Sequence, residues 1–202
     1  MKKHFFFLVL ASLLSSAILS QNVDVFNSKD MIFYGLDFSA SRFVGGSGLT
    51  SPIEMQDKYM PALNDLMIME RSRYDVATSY HKKNVEYNFN LADNQNRAFN
   101  VYDRYVDHVM QSLTNDEIQT VVNNYNDSIH HGLGLLYVVD EINHFTGVMT
   151  IQIVFFNIDT KEILLVEKAR ENMMGFSIRN YYAGAIRQII KDSKLLYERR
   201  SR

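Results

Sequence analysis

The sequence predicts an α/β (α+β) fold: a single mixed sheet ending in an antiparallel meander, packed by helices of which the last is long and amphipathic. Three observations predict it. Between Leu133 and Ala169, three apolar runs are separated only by Asn143–Gly147 and Asp159–Lys161, and connections that short join antiparallel neighbours. From Ser177 to Leu196, the residues Ile178, Tyr182, Ala185, Ile186, Ile189 and Ile190 share one helical face, with Arg179, Arg187 and Lys191 opposite. Upstream, strand-like and helix-like patterns are interspersed, with capping signals opening two of the helices.

In chain order, Met31–Phe38 (MIFYGLDF) is rich in β-formers and predicts the first strand. A Gly/Ser loop over Ser39–Thr50 follows. Ser51-Pro52-Ile53-Glu54 combines a capping box with proline at the first helical position, a strong helix start. Pro61 kinks or restarts that helix, and Tyr59, Leu63, Leu66 and Met67 continue its apolar face across the proline. Val85, Tyr87, Phe89 and Leu91 alternate with Glu86, Asn88 and Asn90, a half-buried strand pattern. Tyr102, Tyr105, Val106, Val109, Met110 and Leu113 fall at helical spacing and predict a helix. Thr114-Asn115-Asp116-Glu117 is a second capping box, opening a helix whose buried stripe is Ile118, Val121, Val122 and Tyr125. In the meander, Met149, Ile151, Ile153 and Phe155 share one strand face, while Val154 and Phe156 make the other apolar too, so helices should cover part of the sheet on both sides.

Composition bounds what such a fold can do. The 202 residues include no cysteine, 21 Lys+Arg, 23 Asp+Glu and 47% apolar residues. That apolar share suits a packed domain rather than a disordered chain. Without cysteine there is no thiol nucleophile, Cys-ligated zinc, iron–sulfur cluster or disulfide. The near-neutral charge argues against broad nucleic-acid binding.

Residues 1–20 read as a secretory signal peptide. Lys2, Lys3 and His4 form a basic start, Phe5–Leu14 an apolar segment, and Ser15, Ser16, Ala17 and Ser20 a small-residue end. Cleavage is expected after Ser20 or after Ala17. The apolar run falls short of the roughly 20 residues of a membrane span. The expectation is residues 21–202 as a single exported domain, in the periplasm or outside a bacterial cell, with no transmembrane span and, lacking cysteine, no N-terminal lipid anchor.

A resemblance lies in the meander. Gly132-Leu133-Gly134-Leu135-Leu136-Tyr137-Val138-Val139-Asp140-Glu141-Ile142 resembles the strand that begins the meander in bacterial envelope domains of the curli-secretion and TolB-N-terminal type. Phe156–Leu164 (FNIDTKEIL) is similar to their strand–turn–strand signature D-x-x-T-G-E-x-L. Lys161 occupies a position that the family usually gives to Gly, and Asp140 stands at another. The resemblance covers Gly132–Leu164. It implies the same kind of fold and a non-catalytic role in the envelope.

The remaining motifs carry little chemistry. Gly45-Gly46-Ser47-Gly48 lies between a strand and a helix start, where backbone amides hold anions in other proteins. It lacks the lysine of a phosphate-binding P-loop and the G-x-G-x-x-G spacing, and a plain, mobile βα loop is the expectation ahead of an anion site. His130 and His131 are adjacent, with Asp140, Glu141 and His144 downstream. On an extended chain the two neighbours point apart, and solvated loop histidines are the expectation rather than a metal site. Asp103 with Asp107, Asp116 with Glu117 and Asp140 with Glu141 have ordinary explanations in solvation and helix dipoles. No catalytic residue, cofactor or metal is expected.

Two surfaces remain. At the start of the last helix, Arg179, Asn180 and Tyr181 are consecutive and cannot all point inward. Gly184 within that helix implies a close backbone approach, by the sheet beneath or by a partner. The basic tail, with Arg199, Arg200 and Arg202, compensates a helix C-terminus. The functional expectation is a non-catalytic binding or assembly module whose partner is an envelope protein or a second copy. Its alternatives are a small-ligand binder or hydrolase using Gly45–Gly48 with carboxylates near Asp140, and a purely structural surface component.

Overall fold

In the computed structural model, residues 23–46, 49–108 and 111–201 are described, so the expected signal peptide lies outside the described residues. The chain forms a seven-stranded mixed sheet with helices packed on it. Its strands are β1 (Asp30–Asp37), β2 (Arg42–Val44), β3 (Asn84–Tyr87), β4 (Tyr105–Val106), β5 (Leu133–Asn143), β6 (Val148–Asn157) and β7 (Ile163–Asn172). The expected meander is β5–β6–β7, antiparallel throughout.

β5 is the hub. One flank pairs with β6, and the other is divided between two parallel partners: β1 against Gly134–Val138 and β2 against Glu141–Asn143. β3 then pairs with β1, and β4 with β2, both parallel. β1 and β2 therefore behave as one strand broken at Phe38–Ser41.

Buried side-chain amides hold that break. Asn64 Oδ1 accepts from Leu36 N (2.9 Å) and its Nδ2 donates to Leu36 O (3.3 Å). Asn96 Oδ1 accepts from Phe38 N (2.7 Å) while its Nδ2 donates to Leu36 O (2.9 Å). Main-chain groups leaving a ladder inside a protein need such partners, because each one left unmet costs about 1–3 kcal/mol. Gln56 Nε2 in turn donates to the carbonyls of Asn96 and Phe99. Gly35, at φ +86°, leaves space for the clamp: a Cβ there would lie 2.8 Å from Asn64 Oδ1.

The helices are α1 (Pro52–Glu54), α2 (Met60–Met69), α3 (Val76–Ser79), α4 (Asn90–Ala98), α5 (Asn115–Asn123) and α6 (Ile178–Arg200). Ser51 caps α1, accepting from Glu54 N at 3.2 Å. Between α1 and α2 the chain winds as a π-helix, Met55–Tyr59, and Pro61 sits in the first turn of α2. Proline has no N–H to continue a helical ladder, so the helix is rewound ahead of it. Thr114 and Glu117 form the expected reciprocal capping box of α5, and Ser177 caps α6.

Both sheet faces are covered. On one, Phe33, Leu135, Tyr137, Ile151 and Phe155 pack with α2 and with Tyr182, Ile186, Ile189 and Ile190 of α6. On the other, Tyr34, Leu136, Val138, Val154 and Phe156 meet Ile118, Val121, Val122 and Tyr125. Each fully buried large apolar side chain contributes roughly 1.5–3 kcal/mol.

Three expectations change. The helix predicted over Tyr102–Leu113 is replaced by a 3-10 turn, Val101–Arg104, followed by β4; Val109 and Met110 lie outside the described residues. Tyr105 instead stacks on Phe43 with ring centroids 4.9 Å apart, and pairing with β2 outweighs the helical spacing. The strand predicted over Val85–Leu91 stops at Tyr87, and α4 begins at Asn90. Phe89 turns into helical backbone and packs edge-on against Phe33. The Ser39–Thr50 loop contains β2, too short to show a pattern of its own.

Candidate functional surface at the start of the C-terminal helix

The segment between β7 and α6 crosses the first two turns of α6 as a ridge. Met173 N donates to Gly147 O (2.7 Å) and the Met173 side chain is buried, which pins the ridge at its start. Backbone atoms of Asn180 and Tyr181 crowd Gly175, and the Met174 carbonyl crowds Gly184. The partner in the close approach at Gly184 is thus this ridge, rather than the sheet beneath.

The side chains on top face water. Met174 is 71% exposed and Phe176 is as exposed as a free side chain, while Phe145 on the β5–β6 turn is 72% exposed. A hollow of about 570 Å³ lies on one flank of the ridge, lined by Gly45, Leu49, His144, Phe176, Ile178 and Tyr181. On the α2 side a second, of about 540 Å³, is lined by Arg73, Tyr74, Arg179, Asn180 and Arg187. The first is mainly apolar and the second carries three arginines, one of them, Arg73, paired with Glu70 at 2.9 Å.

The structure therefore gathers residues far apart in sequence. Gly45 and Tyr181 line one hollow, and Arg179 and Asn180 line the other. Gly45 packs under the Phe145 ring, and its N–H donates to Val106 O at 3.3 Å, so that amide faces β4. Ser47 and Gly48 lie outside the described residues. Phe145, Met174 and Phe176 were not singled out from sequence. The signal was Met173-Met174-Gly175-Phe176, an apolar run with neither strand alternation nor room inside a helix.

His144 lies beneath the first hollow. Its Nδ1 is 3.0 Å from Gly46 O and its Nε2 3.1 Å from the Tyr182 hydroxyl. The carbonyl can only accept, so Nδ1 carries the proton and neutral Nε2 accepts from Tyr182. Burial holds the His144 pKa below its ordinary value, against the Gly46 hydrogen bond.

The other candidates are locked elsewhere. Asp140 is buried and accepts from Arg42, Ser112 Oγ, Leu113 N and Gln152 Nε2. Of the adjacent histidines, His130 is largely buried and bridges Asp127 (2.7 Å) and Glu86 (2.8 Å), whereas His131 is exposed to solvent, as expected, and meets Asp159 (2.5 Å). They point apart, as adjacent residues on an extended chain should. Among the described residues no three His, Asp or Glu side chains are placed to share a metal ion, and no helix is long and apolar enough to cross a membrane.

No family model matches the chain, and no curated protein or solved structure matches it. The geometry of this surface is what speaks to function.

Proposed function

We propose that this protein is a non-catalytic binding or assembly module, exported to the bacterial envelope, that works through protein–protein contacts at the Met174–Phe176 ridge. The observation that carries the reading is the exposure of Phe145, Met174 and Phe176 around two hollows. Grouped large apolar side chains on a surface are a mark of interaction sites. Aromatic, methionine and arginine side chains are also the types enriched in protein interfaces. The signal-like residues 1–20 support export. The likeness of Gly132–Leu164 to envelope domains supports the compartment and the absence of catalysis.

The test places a photo-crosslinking amino acid at Phe176 in the source cells, with exposed Asn123 on α5 as the control position. The expected result is one recurrent adduct, to an envelope protein or to a second copy, formed from position 176 and not from 123. Adducts that match between the two positions, or recovery of the full-length chain from the cytoplasm, would overturn the reading.

A further inference from the structure

The hollow on the α2 side of the ridge carries more positive charge than its own walls answer. Among the described residues, Arg73, Arg179 and Arg187 line it with one carboxylate, Glu70, which Arg73 already engages at 2.9 Å. Arg179 and Arg187 are exposed. Neither has an ion-pair partner among the described residues, unlike Arg42, Arg73 and Arg200.

Helix stability does not account for Arg179. It sits in the first turn of α6, a helix of 23 residues, and that turn holds no acidic side chain. The helix dipole is already positive there, so an added cation is unfavourable. A bound anion would reverse that sign.

Tyr74 supplies an independent observation. It is 4% exposed and lines the same hollow, yet among the described residues it makes hydrogen bonds through its main chain alone. Its hydroxyl lies in the field of Glu70, Arg187, Arg73 and Arg179, the four charged groups of the lining. It keeps some surface open to water. A nearly buried hydroxyl with no acceptor in its own chain is free to donate to a ligand.

The two hollows also share an edge. Gly175 and Phe176 line both, so one extended ligand can occupy both at once.

We infer that the ridge docks an extended peptide segment of a partner protein, with clustered Asp or Glu side chains beside a large apolar residue. The carboxylates enter the basic hollow, where Arg179, Arg187 and the Tyr74 hydroxyl donate to them. The apolar residue packs against Leu49, Phe176 and Ile178 in the other hollow. Guanidinium N–H groups match the two oxygens of a carboxylate, and arginine clusters read acidic peptide motifs in this way. A lipid bilayer is the other large anionic surface, but a flat sheet of headgroups meets the crest of the ridge without reaching nearly buried Tyr74. The inference rests on the ridge being a protein-docking surface and adds the chemistry of what docks there.

The experiment selects binders from a displayed library of random short peptides on the purified protein. Affinities of the recovered peptides are then measured by fluorescence anisotropy. The expected peptides combine several Asp or Glu with a Phe, Leu or Met, and they bind more weakly as salt is raised. Arg179→Gln together with Arg187→Gln should weaken them about tenfold or more. Lys194→Gln together with Arg199→Gln makes the same charge change toward the other end of α6 and should have little effect. All four positions are exposed, and an unchanged thermal midpoint shows that each variant is folded. Phosphatidylglycerol vesicles, the rival probe, should not displace the peptides.

The inference is overturned if selection returns no peptide, or only neutral or basic ones. It is equally overturned if the first double variant binds normally, if both double variants weaken binding alike, or if vesicles compete. A recurrent adduct from position 176 in cells, alongside any of these results, would leave the docking surface standing and strike only its acidic partner. Loss of the adduct as well would strike the surface itself.

Discussion

Gly184 lies directly beneath the backbone carbonyl of Met174, with no room between them for a methyl group. In an exposed helix, Gly to Ala would gain up to about 1 kcal/mol. Here Gly184→Ala must push the ridge off the helix, and we expect a net loss of about 1–2 kcal/mol. Cleavage within residues 173–176 should also become faster in limited proteolysis. A denaturant melt and a protease time course check both, and a stabilised variant with unchanged cleavage would show the contact to be unimportant.

Asn96 serves two backbone groups where β1 breaks off, Phe38 N and Leu36 O. Asn96→Leu keeps the branching at Cγ and removes both bonds, so it should cost about 2–3 kcal/mol. Asn94→Ala, at an exposed position on the same helix, should change stability by less than about 0.5 kcal/mol. Equal effects of the two in urea unfolding would mean that the clamp does not hold the break.

His144 makes the region under the ridge sensitive to acid. Its pKa is depressed in the folded state from the ordinary 6.5, so the unfolded chain takes up its proton first as pH falls. The stabilising contribution is therefore full above pH 6.5 and is lost as pH drops through the lower, folded value. Protonation also removes the acceptor that meets the Tyr182 hydroxyl. His144→Gln should flatten this part of the stability–pH curve, measured as unfolding midpoints between neutral and mildly acidic pH. Parallel curves for the two proteins would count against the assignment.

Lys161 stands in the β6–β7 turn at φ +63°, the left-handed region in which a side chain is strained. Lys161→Gly should relieve about 1 kcal/mol of strain and lose part of that with the bond from Lys161 Nζ to Ile158 O (2.6 Å). A net gain of about 0.5 kcal/mol is expected. A loss of stability in thermal unfolding would show that the lysine bond outweighs the backbone term.

The elements legible in the sequence are those that carry their own local signal. The β5–β7 meander announces itself through short turns, α5 through Thr114 and Glu117, and α6 through an apolar stripe more than three turns long. The unread elements depend on partners. β2 is three residues held by β5 and β4, and no pattern fits in three residues. α4 buries Ala92 and Asn96 rather than a row of large apolar residues, because its task is to satisfy backbone groups of β1. Tyr105 and Val106 have helical spacing with their neighbours, yet a strand partner claims them. The candidate surface was half legible. Arg179–Tyr181 stand out because a helix cannot bury three successive residues, and Gly45 stands out by composition. Their meeting beside Phe145 follows from the β5–β6 turn, which the one-dimensional pattern does not place.

Dividing one flank of β5 between β1 and β2 also sets the order in which the molecule can assemble. The meander closes through turns of a few residues, whereas Ile32 finds Gly134 only across roughly a hundred residues of intervening chain. During synthesis β1 and β2 emerge early and wait, each with the edge that faces β5 unmet, for the centre of the sheet to arrive. A chain stopped short of β5 can pair β1 with β3 and β2 with β4, but has nothing to align one pair with the other. The C-terminal third is therefore the template on which the N-terminal half is laid, and interruption before it leaves apolar segments such as Met31–Phe38 open to aggregation.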